Sequence, residues 1–165
     1  ISKVLLLLMV PLLHGGDLFA SEYQRQLDKS PWSVYEWSVQ TSLYAWHWNP
    51  EPEHNNQLHL LALESTFNNK LLIGAAVYQN SFDQSSQLVY FGKRWSMFDS
   101  QHWYFKLTGG LLHGYKEPYE DKIPFNGLGI APVVVPSLGF RHHHLLVETT
   151  FAGIAAVTIT AGLTF

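Results

Sequence analysis

The sequence predicts an all-β protein, an eight-stranded antiparallel β-barrel that crosses a membrane. Apolar and polar residues alternate along several segments, which is the pattern of a strand whose two faces meet different surroundings. Only 14% of the 165 residues are charged and 15% are aromatic, so much of the surface is not expected to face water. No apolar run after position 20 approaches the roughly 18 residues of a transmembrane helix. A closed barrel is then the structure that satisfies the backbone polar groups in lipid.

Charge and cysteine content exclude several functional classes. The formal net charge of −3 gives no basic surface for nucleic acid, so nucleic acid is not an expected partner. The chain has no cysteine, which excludes disulfides and thiolate metal sites. No cofactor is predicted.

The first 20 residues have the features of a secretory signal peptide. Lys3 supplies the positive start, residues 4–13 form the apolar run, and Ala20 is a small residue suited to cleavage. Such a run is shorter than the roughly 20 residues that a helix needs to cross a bilayer. Residues 21–32 are expected to form a periplasmic N-terminal segment, either a short amphipathic helix on the membrane interface or a disordered leader. The barrel is assigned to residues 33–165.

Eight segments with strand character follow. They are predicted at 34–48, 58–66, 71–79, 87–97, 102–113, 128–140, 143–151 and 155–165. An even number of strands is typical of bacterial barrels and places both ends on the periplasmic side. Connections alternate in length, with short turns at 67–70, 98–101 and 141–142 and longer loops at 49–57, 80–86 and 114–127.

The two faces of the first and last strands differ in polarity. In the last strand Val157, Ile159 and Leu163 alternate with small or polar residues. In the first strand the predicted inner face carries Glu36, Ser38, Gln40 and Ser42, and the predicted outer face carries Tyr35, Trp37, Val39, Leu43 and Ala45. A soluble barrel of the lipocalin type would alternate too, but its outer face would be polar. The apolar outer positions favour the membrane barrel.

The interior of so narrow a barrel is expected to hold side chains or one small ligand. Glu64, Lys106 and Glu148 are predicted to face inward as a buried polar network. The adjacent Lys93 and Arg94 point to opposite faces, so one of them must lie on the outside near the membrane edge. The narrow lumen disfavours free diffusion of solutes and leaves room for a slender lipid-tail pocket or a plug.

Two short stretches resemble the lipid A palmitoyltransferase (PagP) family. Residues 78–82 are similar to that family's aromatic-x-Asp-Ser-aromatic segment, and Pro132 and Pro136 match two prolines in its sixth strand. A final strand that ends on Phe165 resembles the signature by which outer-membrane barrels are recognised for assembly. The resemblance implies a Gram-negative outer-membrane location, phospholipid and lipid A as partners, a monomer, and help from the barrel assembly machinery.

The resemblance also implies a site at the outer mouth. The family's Asp-Ser pair falls on Asn80 and Ser81, and the family's first-strand His falls on Gln40 or Thr41. The prolines lack N–H groups, so they weaken strand pairing. In the family such gaps admit an acyl chain, whereas a plain strand bend is the alternative.

The residues themselves suggest a different constellation. Ser81 could act as nucleophile with His47 or His113 as base and Asp83 as orienter, because all belong to outer strand ends or loops. Ser81 could equally be an ordinary turn residue. The run 142–144 of three histidines is assigned to a periplasmic turn, since adjacent strand residues cannot readily ligate one ion.

Three hypotheses for the function follow, the last of which is a purely structural or adhesive barrel. The first is a lipid-active enzyme that transfers an acyl chain from a phospholipid to lipid A, with Ser81, Asn80 and His47 as candidate catalytic residues. The second is a non-enzymatic barrel that binds or passes a small amphiphile or solute.

Overall fold

The computed structural model describes residues 30–50, 54–56 and 58–165. The predicted signal peptide, residues 1–20, and most of the predicted segment 21–32 lie outside this range. The described chain forms one antiparallel sheet that closes as β1-β2-β3-β4-β5-β6-β7-β8, with β8 paired to β1. The strands are β1 Val34–His47, β2 Leu61–Phe67, β3 Leu71–Gln79, β4 Ser85–Ser96, β5 Trp103–His113, β6 Ile130–His142, β7 Leu145–Ala152 and β8 Ala156–Thr164. The predicted closed, eight-stranded antiparallel barrel is confirmed.

Most strand bounds fall within three residues of the prediction. The start of β2 is three residues later than predicted. The connection predicted at 141–142 is also displaced, because β6 continues to His142 and the turn lies at 143–144. His143 adopts a φ of 53° there, a turn conformation that ends the strand. The three consecutive histidines therefore do mark the turn before β7.

The barrel has two unlike ends. Strand β1 starts and β8 stops at one end, which we call the terminal end, where two- to six-residue turns connect the strands. At the opposite end, the loop end, three longer loops connect them at residues 48–60, 80–84 and 114–129, and a three-residue turn at 153–155 joins β7 to β8. Glu120–Lys122 in the last of these loops form a short 3-10 helix. Within the described ranges, no helix has the length and apolar character to cross a membrane.

Strand β1 contains an irregularity that reverses its faces. Glu36, Ser38 and Gln40 are buried inside the barrel as predicted. The register with β8 shifts between Ser42 and Tyr44, which inserts one extra residue in the manner of a β-bulge. Beyond the shift Ala45 is fully buried, so its predicted outward position is wrong.

Two pairs of strands separate near the loop end. Strands β1 and β2 pair only as far as Thr41 and Leu61, and β6 pairs with β7 only up to Ser137. The N–H of Arg141 donates to His102 on the β5 side, so even-numbered residues of β6 direct their nitrogens toward β7. Pro132 and Pro136 are even-numbered and have no N–H to offer β7. Because Pro136 cannot donate a hydrogen bond, the β6–β7 ladder ends at the neighbouring Ser137.

Ion pairs fill the terminal half of the interior. Lys106 Nζ lies 3.0 Å from Glu64 Oε2 and 2.6 Å from Glu148 Oε2, so the predicted network is present. Arg94 bridges Glu64 at 3.1 Å and Glu36 at 2.8 Å. A further ion pair joins Arg141 to Glu36. Three carboxylates are thus matched by three cations, which offsets the cost of burying each charge.

Two tyrosines close the network against the barrel wall. The Tyr104 hydroxyl donates to Glu148 at 2.6 Å, and the Tyr90 hydroxyl donates to Glu64 at 3.2 Å. Each ring lies on a glycine of the neighbouring strand. A Cβ added at Gly139 would sit 2.1 Å from the Tyr104 ring, and one added at Gly74 would sit 2.3 Å from the Tyr90 ring. Both positions require glycine because the ring occupies the space of a side chain.

Candidate active site

A serine and a histidine meet at the loop end. Ser81 lies in the loop that follows β3, and His47 is the last residue of β1. Ser81 Oγ and His47 Nε2 are 2.6 Å apart, a hydrogen bond across 34 positions of sequence. The structure therefore brings together two of the residues that the sequence suggested as nucleophile and base.

The bulge in β1 sets the position of His47. Without it the odd-numbered His47 would share the outward face of Trp37 and Val39. The extra residue between Ser42 and Tyr44 turns His47 inward, where it is 4% exposed. The side chain is consequently held in the mouth of the barrel.

Asn56 fixes the orientation of the imidazole. Its Oδ1 lies 2.9 Å from His47 Nδ1. Since an amide oxygen can only accept, Nδ1 carries the proton and Nε2 is free to accept from the Ser81 hydroxyl. The backbone carbonyl of Asn56 also accepts from the N–H of Ala45, so the residue is tied to β1 at two points. The result is a Ser-His-Asn relay with the geometry of a general base beside a nucleophile.

Asn80 shapes the loop that presents Ser81. It is fully buried, and its Oδ1 accepts from the N–H groups of Phe82 and Gln84 at 2.9 and 3.0 Å. Its Nδ2 donates to Ser86 Oγ at 3.1 Å. Both ends of the amide are therefore engaged in holding the loop.

The loop at residues 114–129 also reaches Ser81. Tyr115 lies beside Ser81, and burial raises the pKa of its phenol while the interaction with Ser81 opposes the rise. The net increase keeps the phenol protonated at neutral pH. The Phe82 ring stacks on Tyr119 at 4.0 Å, which packs this loop against the Ser81 turn.

The other predicted residues lie elsewhere. Asp83 does not reach His47, and its Oδ1 receives a long 3.4 Å contact from Asn55. His113 faces outward and bonds Gln87 at 2.7 Å, so it is not the partner of Ser81. Gln40 accepts a hydrogen bond from Thr160 inside the barrel, below the site, and Thr41 is exposed.

Sequence reasoning did not find Asn56 or Tyr115. Both lie in loops whose path depends on the whole barrel, and neither stands in a motif with Ser81. Among the described residues, no three His, Cys, Asp or Glu side chains are placed to hold a metal ion.

A small cavity lies inside the barrel, on the side of the site that faces the terminal end. Its volume is about 90 Å³, and Ala62, Ala76 and Leu88 form part of its wall. Lys106 and Glu148 of the ion-pair network lie on its lining as well. The network thus closes the lumen beneath the loop end.

No protein-family model matches the chain, and no curated protein matches it. One solved structure with a similar course of the chain is the backbone structure of the Yersinia pestis outer membrane protein Ail in a phospholipid bilayer nanodisc. It is 15% identical, covers 79% of this chain and 99% of its own, and superposes with a TM-score of 0.46.

Proposed function

We propose that this barrel resides in the outer membrane and transfers acyl chains from phospholipids, with Ser81 as nucleophile and His47 as general base. The observation that carries the proposal is the 2.6 Å contact between Ser81 Oγ and His47 Nε2, backed by Asn56 at Nδ1. A serine in an ordinary turn needs no such pair behind it.

The distribution of polarity supports the membrane location. Large apolar side chains are exposed around the barrel, among them Phe91 at 70%, Val134 at 70% and Leu145 at 63%. Glutamate, arginine and lysine fill the interior. A protein surrounded by water would have the opposite arrangement, whereas hydrocarbon favours this one.

The proposed chemistry balances with the groups in place. His47 Nε2 takes the Ser81 proton as Oγ attacks the carbonyl carbon of a phospholipid ester. The resulting oxyanion collapses, the ester C–O bond breaks, and the lysophospholipid alkoxide takes the proton from His47. An acceptor hydroxyl then loses its proton to His47 and attacks the acyl-Ser81 ester, which restores the Ser81 hydroxyl. Tyr115, a protonated donor beside Ser81, is suited to hydrogen-bond the oxyanion.

The separated strands supply a route for the acyl chain. The gap beside Pro132 and Pro136 lies in the loop half of the barrel, the same half as Ser81. A chain that enters there would bring its ester toward the Ser81 turn. The resemblance to the palmitoyltransferase family implies lipid A as the acceptor, and water would make the same enzyme a hydrolase.

A non-enzymatic barrel is the alternative. The family's Asp is replaced by Asn80, whose amide is fully occupied in the loop. This favours a scaffold that holds an amphiphile without reacting. Passage of solutes through it is disfavoured by the ion pairs that close the lumen.

Lipid mass spectrometry tests the proposal. Membranes of a Gram-negative host that expresses the protein should accumulate lysophospholipid and an acylated product, lipid A first. Ser81→Ala should lower this conversion about a thousandfold or more. Ser85→Ala, an exposed serine at the start of β4, is the matched control and should convert like the unaltered protein. Unchanged conversion by Ser81→Ala would remove the proposed mechanism, and absence of any conversion by the unaltered protein would favour the alternative.

A further inference from the structure

The outer wall of the barrel carries a single charge. The eight strands, all of them described, contain seven Asp, Glu, Lys or Arg residues, and six of these side chains point inward. Lys93 is the exception, and it is exposed on β4. A cation on the lipid face costs about 2 to 4 kcal/mol at the midplane and little near the interface. A lone outward lysine near the interface leaves its charge available to an anion outside the barrel.

Lys93 has no anion of its own within the described residues. Its ammonium group lies 5.8 Å from the ring of Trp95, a weak cation–π contact. Its neighbours across the sheet are Leu71 and Leu107. The carboxylates of the strands are all inside, paired with Arg94, Lys106 and Arg141.

An apolar groove lies next to Lys93 on the outer wall, on the side toward the loop end. Its volume is about 560 Å³, within the range of about 300 to 1,000 Å³ that is typical of ligand sites. Six large apolar side chains wall it: Trp37, Leu63, Ile73, Val89, Phe91 and Leu111. Ala75 and the backbone of Gly74 and Gly110 leave the space between them. Lys93 is two residues beyond Phe91 along β4, about 7 Å toward the terminal end.

We propose that this groove and Lys93 form a phospholipid site on the outer wall, with one acyl chain in the groove and the phosphate on the ammonium group. The lipid belongs to the leaflet at the terminal end, because Lys93 lies on that side of the groove and three residues from the end of β4. The lysine stem can extend toward the headgroups while its charge stays in the polar layer. This site is separate from Ser81 and rests on the proposed membrane location alone.

A second copy of the chain fits the same surface less well. A symmetric dimer through the groove would bring two Lys93 side chains together. No outward carboxylate of the strands could neutralise them. A phosphate supplies the opposite charge that a second copy lacks.

Native mass spectrometry of the full chain in detergent, titrated with dipalmitoyl phosphatidylglycerol, tests the site. We expect one tightly held lipid per barrel, with binding about tenfold weaker in Lys93→Gln. Ala75→Trp fills the groove and should abolish retention. Ala161→Trp makes the same change on β8, outside the groove, and should bind normally. Far-UV circular dichroism checks that each variant is folded, and Lys93→Gln leaves the packing of the wall intact.

The outcomes separate this site from the proposed enzyme. Ser81→Ala should hold the lipid as the unaltered protein does, so a failure of the acyl-transfer chemistry leaves this result unchanged. Equal lipid binding by the unaltered protein, Lys93→Gln and Ala75→Trp would mean ordinary boundary lipid and would overturn the proposal. A dimer that disappears in Ala75→Trp would overturn it in favour of a second copy.

Discussion

The two halves of this barrel differ in how their strands pair and in which side chains fill the lumen. In the terminal half all neighbouring strands pair, and carboxylates matched by cations fill the lumen. In the loop half, β1 leaves β2 after Thr41, β6 leaves β7 before Ser137, and small residues such as Ala45, Ala62 and Ala131 line the interior. The Ser81–His47–Asn56 relay stands in this open half. Strand pairing and ion pairs stabilise the terminal half, so that the loop half can remain accessible.

Removal of a central cation should have the largest effect on stability. Lys106→Met leaves Glu64 and Glu148 buried without their shared partner, so the free energy of unfolding should fall by about 3 to 5 kcal/mol. Urea unfolding in detergent micelles measures this. Lys93→Met removes a cation on the outside and should change the free energy by about 1 kcal/mol or less. Equal effects of the two substitutions would contradict the assignment of stability to the interior network.

Removal of the Asn56 side-chain amide should lower turnover at the loop end and leave the stability of the barrel unchanged. Asn56→Ala should lower phospholipid turnover about 10- to 100-fold, because His47 loses the partner that fixes its tautomer. Asn56→Asp should retain turnover, since a carboxylate accepts from Nδ1 equally well. Turnover is followed by lysophospholipid release, and urea unfolding should change little. An unaltered rate in Asn56→Ala would show that the relay has no chemical role.

Glycine substitutions test how tightly the terminal half of the barrel is packed. Gly139→Ala places a methyl group against the Tyr104 ring and should destabilise the barrel by about 1 to 3 kcal/mol. Gly109→Ala is the control, because its nearest neighbour would be the Val133 carbonyl oxygen at 3.9 Å. The unfolding free energies of the two variants should differ by more than their errors. If they coincide, the Tyr104 ring does not restrict Gly139.

Repair of the strand gap should give the smallest effect. Pro136→Val restores an N–H that faces β7, so turnover should fall severalfold if acyl chains enter beside it. Stability should change by about 1 kcal/mol or less. Reaction of Ser81 with an alkyl fluorophosphonate, which modifies activated serines, should be unaffected, because the hydroxyl and its base are untouched. A turnover equal to that of the unaltered protein would place the entrance elsewhere.

Alternation alone predicted most of the fold. The period of two located all eight strands, and it placed Glu64, Lys106 and Glu148 inside because charged side chains avoid lipid. For the part of β1 beyond Ser42, alternation could not predict which side chains point inward. The shift between Ser42 and Tyr44 depends on how β1 pairs with β8, which leaves no mark in the sequence near those residues.

The site was predictable only in part. Ser81 and His47 were candidates because both lie where strands meet the outer loops. Asn56 and Tyr115 were not, since loop residues converge through tertiary structure rather than through spacing. Asp83 was the apparent orienter because it is an acid close to Ser81 in sequence, but its oxygen meets Asn55 instead of His47. The resemblance to the palmitoyltransferase family remains a prediction.

Reaction of the purified barrel with an alkyl fluorophosphonate tests the central claim most directly. If His47 activates Ser81, peptide mass spectrometry should find the phosphonate on Ser81, and labelling should fall sharply in His47→Gln while Ser85→Ala labels normally. Labelling that is absent from Ser81 in the folded protein, or unchanged in His47→Gln, would contradict the account.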